Sequence, residues 1–171
     1  TWYAQGGIAA VMGEKDTVEE HIADTLEVGD GICDKDAVAH CVKNSKSAID
    51  WLIEMGVNFT MTQDGEKLHL TQEGGHSKRR VAHSKDTTGK EVSNSLIARA
   101  RKLKNITIYE NHLAVDLITS NRSCLGAYVF DKKKEQVITF KSNATILASG
   151  GASKVYLYTS NPDGTSGDGM A

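Results

Sequence analysis

The sequence has 171 residues, with 20 Lys and Arg against 22 Asp and Glu, a formal net charge of −2 and 39% hydrophobic residues. A chain of this length can bury one core, so we expect one domain, and its balanced charge argues against a nucleic-acid or anionic-membrane surface. The sequence has no apolar run of about 18 residues and no leader pattern, so we expect a cytoplasmic protein without a membrane span. Its three cysteines form no C-x-x-C pair, so we expect neither a disulfide framework nor a zinc site.

The first part of the chain predicts two helices that pack as a pair. A capping-box-like pattern begins at Asp16, so a first helix is expected to run to about Val28 and to end at Gly29. A second helix is predicted to begin at Asp34 and to end at Gly56, because apolar residues between them recur largely at i, i+3, i+4 spacing.

Short strands follow the helices. Alternating residues at 57–59 and 68–70 predict two strands of a hairpin, joined by an Asp-Gly turn. The polar, glycine-bearing segment 71–77 predicts a loop, and 79–83 predicts a further strand. These elements would place a polar loop between two strands.

The remainder of the chain changes from helix to closely spaced strands. Asp86 or Thr87 is expected to cap a third helix, and 106–109 to form a strand. Alternating patterns then predict an antiparallel meander with strands at 113–119, 126–131 and 136–141. The apolar segment 144–148 predicts a parallel-sheet strand covered on both faces, which leads into a glycine pair. The predicted fold class is α/β with α+β character.

Glycine is unevenly distributed along the chain. Eight of the 16 glycines fall in four tight clusters, at 6–7, 74–75, 150–151 and 167–169. One such cluster is ordinarily a turn, but four together favour a ligand that the backbone approaches closely. The pair at 150–151 follows a predicted strand, where ligands bind in open α/β sheets. The G-x-G-x-x-G dinucleotide fingerprint and the P-loop are both absent.

The segment 69–85 is the densest in polar function. It holds three of the six histidines and four basic residues, which are His69, His76, His83, Lys78, Arg79, Arg80 and Lys85. Such a loop can bind a small anion, while Glu73 could hold an ammonium group or move a proton. The alternative is a solvated basic loop with an internal ion pair. A metal site is a weaker reading because the histidines are seven residues apart, and a Ser-His-Asp triad lacks its G-x-S-x-G elbow.

Motifs along essentially the whole chain resemble the L-aspartate oxidase family, which belongs with the flavoproteins of succinate dehydrogenase and fumarate reductase. These motifs, in chain order, are YAQGGIAA at 3–10, His21 with DTL at 24–26, GICD at 31–34, LTQEGGHS at 70–77, LASGGASKVY at 147–156 and NPDGTSGDG at 161–169. The resemblance implies FAD as cofactor and oxidation of L-aspartate to iminoaspartate in de novo NAD biosynthesis. It also implies oxygen or fumarate as electron acceptor and quinolinate synthase as a partner.

The resemblance also implies a domain organisation. Residues 1–171 would be the internal part of an FAD-binding domain, with the G-x-G-x-x-G unit, the capping domain and the C-terminal helical domain outside them. Two alternatives stay open. The chain could belong to a fumarate reductase or succinate dehydrogenase flavoprotein, or it could be an inactive structural fragment that retains little or no FAD.

The resemblance carries site residues as well. Those expected at FAD are Thr1, Trp2, Tyr3, Ala4, Gln5, Gly6, Gly7, Leu113, Ala114, Gly150, Gly151 and Asp168. Thr71 and Glu73 would bind substrate, and Glu73 would be the catalytic residue that answers the ammonium group of aspartate. Relatives that use only dicarboxylates carry a neutral amide at that position. Gln72 stands where the family usually has a basic residue, which affects the expected substrate affinity and not the reaction type.

Overall fold

The structure is a computed structural model that describes residues 1–171. The chain forms two compact units, Thr1–Leu103 and Lys104–Ala171. None of the helices combines the length and the apolar character that crossing a membrane requires.

A pair of helices opens the first unit, as predicted. Helix α1 spans Val18–Val28 and ends at the C-cap Gly29. Helix α2 spans Lys35–Glu54 and begins at the N-cap Asp34, whose carboxylate accepts a hydrogen bond from the amide of Ala37 at 2.8 Å. The two helices pack against each other.

The N-cap of α1 differs from the prediction by one residue. Thr17, and not Asp16, is the cap, and its hydroxyl accepts a hydrogen bond from the amide of Glu20 at 3.1 Å. The Asp16 carboxylate is instead engaged by Arg80. Asp16, which the local capping pattern favoured, therefore forms a long-range ion pair, and the neighbouring Thr17 caps the helix.

Three strands of two residues each form a small antiparallel sheet in the first unit. They are β1 at Ile8–Ala9, β2 at Leu70–Thr71 and β3 at Val81–Ala82, in the order β1-β3-β2. The sheet brings the start of the unit and the two ends of the 72–80 loop together.

Strand formation around this sheet is shorter than predicted. Residues 57–59 form no strand, and the expected hairpin is reduced to a single bridge between Met61 and Leu68. Val57 and Phe59 are only 4% and 7% exposed, because their side chains enter the core. The alternating pattern at 57–59 therefore reflects burial of Val57 and Phe59 in the core, and it does not indicate a strand.

The core of the first unit lies between α2 and the small sheet. Its buried members are Ala10, Ile49, Val57, Phe59 and Ala82. Ile49 is fully buried on α2, while Ala82 is fully buried on β3. Contact between these residues holds the helix pair against the strands that border the 72–80 loop.

The third helix, α3, spans Thr88–Lys102. Its N-cap is Thr87, so the alternative cap Asp86 is wrong. The first two residues of α3, Thr88 and Gly89, are buried, with Thr88 at 2% exposure. The hydroxyl of Thr88 accepts a hydrogen bond from the amide of Ser84 at 3.0 Å, which fixes the turn that enters the helix.

The second unit contains the predicted antiparallel meander. Its strands are β4 at His112–Ser120, β5 at Ser123–Asp131 and β6 at Gln136–Lys141, in that order. The β4–β5 register shifts at Gly126, where φ is +141° and a Cβ would overlap the carbonyl of Phe140. Glycine is therefore required at this bulge.

Two predicted strands of the second unit do not form. Residues 106–109 and 144–148 have no strand partner among residues 1–171. Ile146 is 90% exposed, although its apolar neighbours predicted a strand covered on both faces. An apolar run identifies a segment suited to burial, but a strand also requires a neighbour to hydrogen-bond with.

The core assignment predicts a difference between two isoleucines on the same helix. Ile49→Ala should lower the free energy of unfolding by about 2–5 kcal/mol, because it leaves a cavity beside Phe59 and Ala82. Ile53→Ala is the matched control, because Ile53 is 43% exposed, and it should cost less than about 1 kcal/mol. Urea denaturation measures both values, and equal losses would contradict the core assignment.

Candidate functional site

The predicted substrate residues lie together at the start of the 72–80 loop. Thr71, on β2, donates a hydrogen bond from its hydroxyl to Oε1 of Glu73 at 3.4 Å. The amide of Arg80 donates to the carbonyl of Thr71 at 3.2 Å and closes the base of the loop. Glu73 is exposed, so its carboxylate is accessible to a ligand.

The 72–80 loop lies against one side of α1. The carboxylate of Asp24 accepts hydrogen bonds from the amide and the hydroxyl of Ser77 at 2.7 and 2.8 Å. Gly75 has φ of +81°, and a Cβ there would lie 2.5 Å from a methyl group of Val28. Asp24 and Val28 are one helical turn apart, so a single side of α1 contacts the loop.

A buried cation joins this loop to the helix. Arg80 is fully buried and donates two hydrogen bonds to Asp16, at 2.9 and 2.7 Å, and a third to Asp24 at 2.6 Å. We call these three residues the Arg80 ion triad. Because both carboxylates engage Arg80, it is not available to a substrate carboxylate, which corrects the expectation that it belongs to an anion-binding loop.

The other basic residues of the loop are on its surface. Lys78 pairs with Glu20 of α1 at 3.2 Å, and both side chains are more than a third exposed. Arg79 donates to the carbonyl of Leu70 at 3.3 Å and is exposed. The loop therefore combines an internal ion pair with surface cations.

The electrostatics of the triad favour the charged form of Asp24. The amide of Ser77, with its hydroxyl and the Arg80 guanidinium, outweighs burial and lowers the pKa of Asp24 to about 2. Burial, followed by the charges of Arg80 and His76, lowers the pKa of His21. His21 is therefore a neutral imidazole near pH 7, beside an ionised Arg80.

The three histidines of segment 69–85 separate into two pairs. His69 and His83 share a hydrogen bond of 2.9 Å between their ring nitrogens. His76 instead contacts His21, with ring centroids 5.7 Å apart. No group of three or more His, Cys, Asp or Glu side chains converges as metal ligands would.

The first expected cofactor segment, 1–7, lies at the start of α3. The carbonyl of Ala4 accepts a hydrogen bond from the amide of Gly89 at 2.9 Å, and Lys90 Nζ lies 5.5 Å from the ring centre of Trp2. All seven residues of the segment are exposed. Its position is thus defined by α3, while its surface is open to a ligand.

The expected cofactor glycines of the second unit also lie together. A Cβ on Gly169 would overlap the side chain of Ser149, so the segment that carries Asp168 packs beside Gly150 and Gly151. The amides of Gly150 and Gly151 donate to no protein group, and both residues are exposed.

The other two expected cofactor residues of this unit lie on the meander. Leu113 and Ala114 are on β4, paired with Phe130 and Val129, and no hydrogen bond links them to the glycine segments.

These residues fit a flavin nucleotide. Free backbone amides at small, exposed residues are suitable donors to phosphate or flavin oxygens, and the carboxylate of Asp168 can accept from a hydroxyl group.

Sequence reasoning missed the residues that hold the loop. Asp24 and Ser77 both lie in motifs of the resemblance, at 24–26 and 70–77, but these motifs assign neither of them a role. The available signal was the run of basic residues after Ser77, which needs acidic partners if any of it is buried. That signal does not indicate which acidic residues pair with the buried basic side chain.

The chain is similar in sequence to known proteins along its whole length. Residues 1–171 match the family model described as FAD binding domain. L-aspartate oxidase of Pseudomonas aeruginosa is 51% identical over 183 residues, and that of Yersinia pestis is 50% identical over 181. Both alignments cover 100% of this chain and 34% of the relative, so the chain spans about a third of the length of these curated relatives.

A solved structure extends the likeness to the backbone. E. coli quinol fumarate reductase is similar with a TM-score of 0.92 and 27% identity. The match covers 99% of this chain and 29% of that one.

The pKa of Asp24 predicts an acid-sensitive part of the stability. Since its folded pKa of about 2 is below the ordinary value of 3.8, the stabilisation is complete above about pH 4 and is lost as the pH falls through 2. Asp24→Asn should therefore flatten the dependence of unfolding free energy on pH between about 4 and 2. Urea denaturation at several pH values measures this slope.

The control for this experiment is Asp30→Asn, which changes an exposed carboxylate just after α1. Its curve should run parallel to that of the unsubstituted chain. An unchanged slope in Asp24→Asn would contradict the assigned role of Asp24.

Proposed function

The chain belongs to the FAD binding domain family, and from that premise we propose that residues 1–171 are the internal part of the FAD-binding domain of a cytoplasmic L-aspartate oxidase. The proposed reaction is oxidation of L-aspartate to iminoaspartate in de novo NAD biosynthesis. Oxygen or fumarate would accept the electrons, and quinolinate synthase would consume the product. The relatives named L-aspartate oxidase, at 50–51% identity, support this proposal.

One observation carries the amino-acid specificity. Glu73 presents an exposed carboxylate at a glycine-containing loop, and the Thr71 hydroxyl donates to it at 3.4 Å. An ammonium group is the natural partner of such a carboxylate, because charge-assisted hydrogen bonds are stronger than neutral ones. A substrate with two carboxylates and no amine has no cationic group for Glu73 to bind.

The cofactor residues have distinct proposed roles. When bound, FAD supplies the two-electron acceptor for the C–H bond that breaks at the substrate. The amides of Gly150 and Gly151 would donate to its oxygens, and Asp168 would accept from a hydroxyl group. The exposed segment 1–7 would provide backbone donors from the first unit.

A dicarboxylate reductase is the second candidate, and the likeness to E. coli quinol fumarate reductase favours it. The two candidates differ at Glu73, because only an amine substrate requires a negative charge there. Competition between L-aspartate and succinate for the oxidised enzyme would separate them.

Glu73→Gln in the full-length enzyme should reduce L-aspartate oxidation far more than fumarate reduction, by about tenfold or more in kcat/KM. The reason is the loss of a charge-assisted hydrogen bond to the ammonium group. Steady-state rates with each substrate measure the effect. Glu66→Gln is the control, since it neutralises another exposed carboxylate of the same unit, and an equal loss of both activities in Glu73→Gln would remove the case for amine recognition.

Residues 1–171 prepared alone should retain little or no FAD, whereas the full-length enzyme should bind it. Without a G-x-G-x-x-G turn, the pyrophosphate lacks the helix N-terminus that binds it in dinucleotide folds. The visible absorption spectrum of each preparation, after removal of free flavin, measures retention. A yellow preparation of residues 1–171 would show that these residues hold FAD by themselves.

A further inference from the structure

We propose that Asp24 and Ser77 are positioning residues of the amine-recognition site, and that α1 acts through them to fix the place of Glu73. The inference rests on the proposed function, because it concerns how the carboxylate of Glu73, which would bind the substrate, is held in place. Neither residue would touch the substrate. Both would determine where Glu73 meets the ammonium group.

The 72–80 loop has little support from the sheet that borders it. The strands β2 and β3 contribute only two residue pairs, Leu70 with Ala82 and Thr71 with Val81. The loop also contains two adjacent glycines, which enlarge the conformational freedom of its backbone. The position of Glu73 must therefore depend on contacts that the rest of the loop makes.

Contacts inside the loop make it a compact turn. The side chain of Gln72 donates to the carbonyl of His76 at 2.7 Å, and the amide of His76 donates to the carbonyl of Glu73 at 3.2 Å. The second bond connects the backbone of Glu73 directly with that of His76, the neighbour of Ser77. A displacement of Ser77 would thus be transmitted to Glu73.

The external contacts lead to α1, and they differ in strength. The Asp24 carboxylate, only 15% exposed, accepts from Ser77 twice and from Arg80 once, at 2.6–2.8 Å. The ion pair between Lys78 and Glu20 is longer, at 3.2 Å, and its side chains are 38% and 41% exposed. Exposed pairs contribute little, so Asp24 is the dominant link.

The Arg80 ion triad prevents Asp24 from turning away. Arg80 is the last residue of the loop and donates to both carboxylate oxygens of Asp16, which precedes the N-cap of α1. Its third bond reaches Asp24, two helical turns along α1. The loop is thereby attached to α1 at two separated points, which restricts its rotation about either one.

This arrangement predicts an effect on substrate choice. L-Aspartate oxidation requires Glu73 in place, whereas fumarate carries no ammonium group for it to bind. Moving Ser77 should therefore impair the amine substrate selectively. A purely structural role for Asp24 would impair both activities and the retention of FAD together.

The experiment compares variants of the full-length holoenzyme. Asp24→Asn should reduce kcat/KM for L-aspartate by about ten- to a hundredfold, the range expected when a reacting group is misplaced by about 1 Å. Fumarate reduction and FAD content should stay within about twofold of the unsubstituted enzyme, well below that range. Ser77→Ala should show a smaller change of the same kind, and Ser77→Thr, which keeps the hydroxyl, should restore most of the lost activity.

Glu20→Gln is the matched control. Like Asp24→Asn, it neutralises a carboxylate of α1 that faces a cation of the loop, but at an exposed position. Its ratio of aspartate to fumarate activity should match that of the unsubstituted enzyme. If Asp24→Asn fails to fold, the two Ser77 variants carry the comparison by themselves.

Two results would contradict this inference and leave the proposed function intact. One is an unchanged ratio of the two activities in Asp24→Asn and Ser77→Ala, and the other is a parallel loss of both activities with FAD. An unsubstituted enzyme that reduces fumarate but oxidises no amino acid would overturn the proposed function and the inference with it. The two failures are therefore distinguishable.

Discussion

The first unit is organised around one buried cation. Arg80 has no exposed surface, so its charge must be balanced within the protein, and Asp16 and Asp24 balance it. Replacing a buried ion pair with apolar residues is often neutral or stabilising, so such a pair is weak evidence for stability. Its value here is geometric, because the guanidinium fork accepts only a narrow range of carboxylate positions. Those positions define where α1 lies relative to the 72–80 loop.

The conformation of the loop follows from that constraint. A loop bordered by two-residue strands and containing two glycines would otherwise have many accessible conformations. The bonds from Asp24 to Ser77 and Arg80 select one of them, in which Thr71 and Glu73 are in contact and open to solvent. Site rigidity is thus supplied by a helix and an ion triad that lie outside the expected substrate contacts.

The expected cofactor residues obey a different rule. In each unit they are exposed and lie beside a neighbouring segment: 1–7 beside the start of α3, and Gly150 and Gly151 beside the segment that carries Asp168. Ligand contact through backbone amides needs little from side chains, which is why glycine clustering favours a ligand site. The exposed apolar segment 144–148, in contrast, shows that a pattern suited to burial does not by itself produce a strand.

The sequence by itself determined the helix pair, the C-cap at Gly29, the N-cap at Asp34 and the meander, because these depend on spacing within a few residues. It also indicated the flavin family, which is encoded in short contiguous motifs, whereas the hydrogen bond between Thr71 and Glu73 is seen only in the structure. Only the tertiary structure decided that Arg80 binds Asp16 and Asp24, which precede it by 64 and 56 residues. The same contact displaced the N-cap of α1 to Thr17, and burial against the core left 57–59 without a strand. Local patterns state what a residue favours, but the partner of a buried charge is chosen by which carboxylate the fold brings within reach.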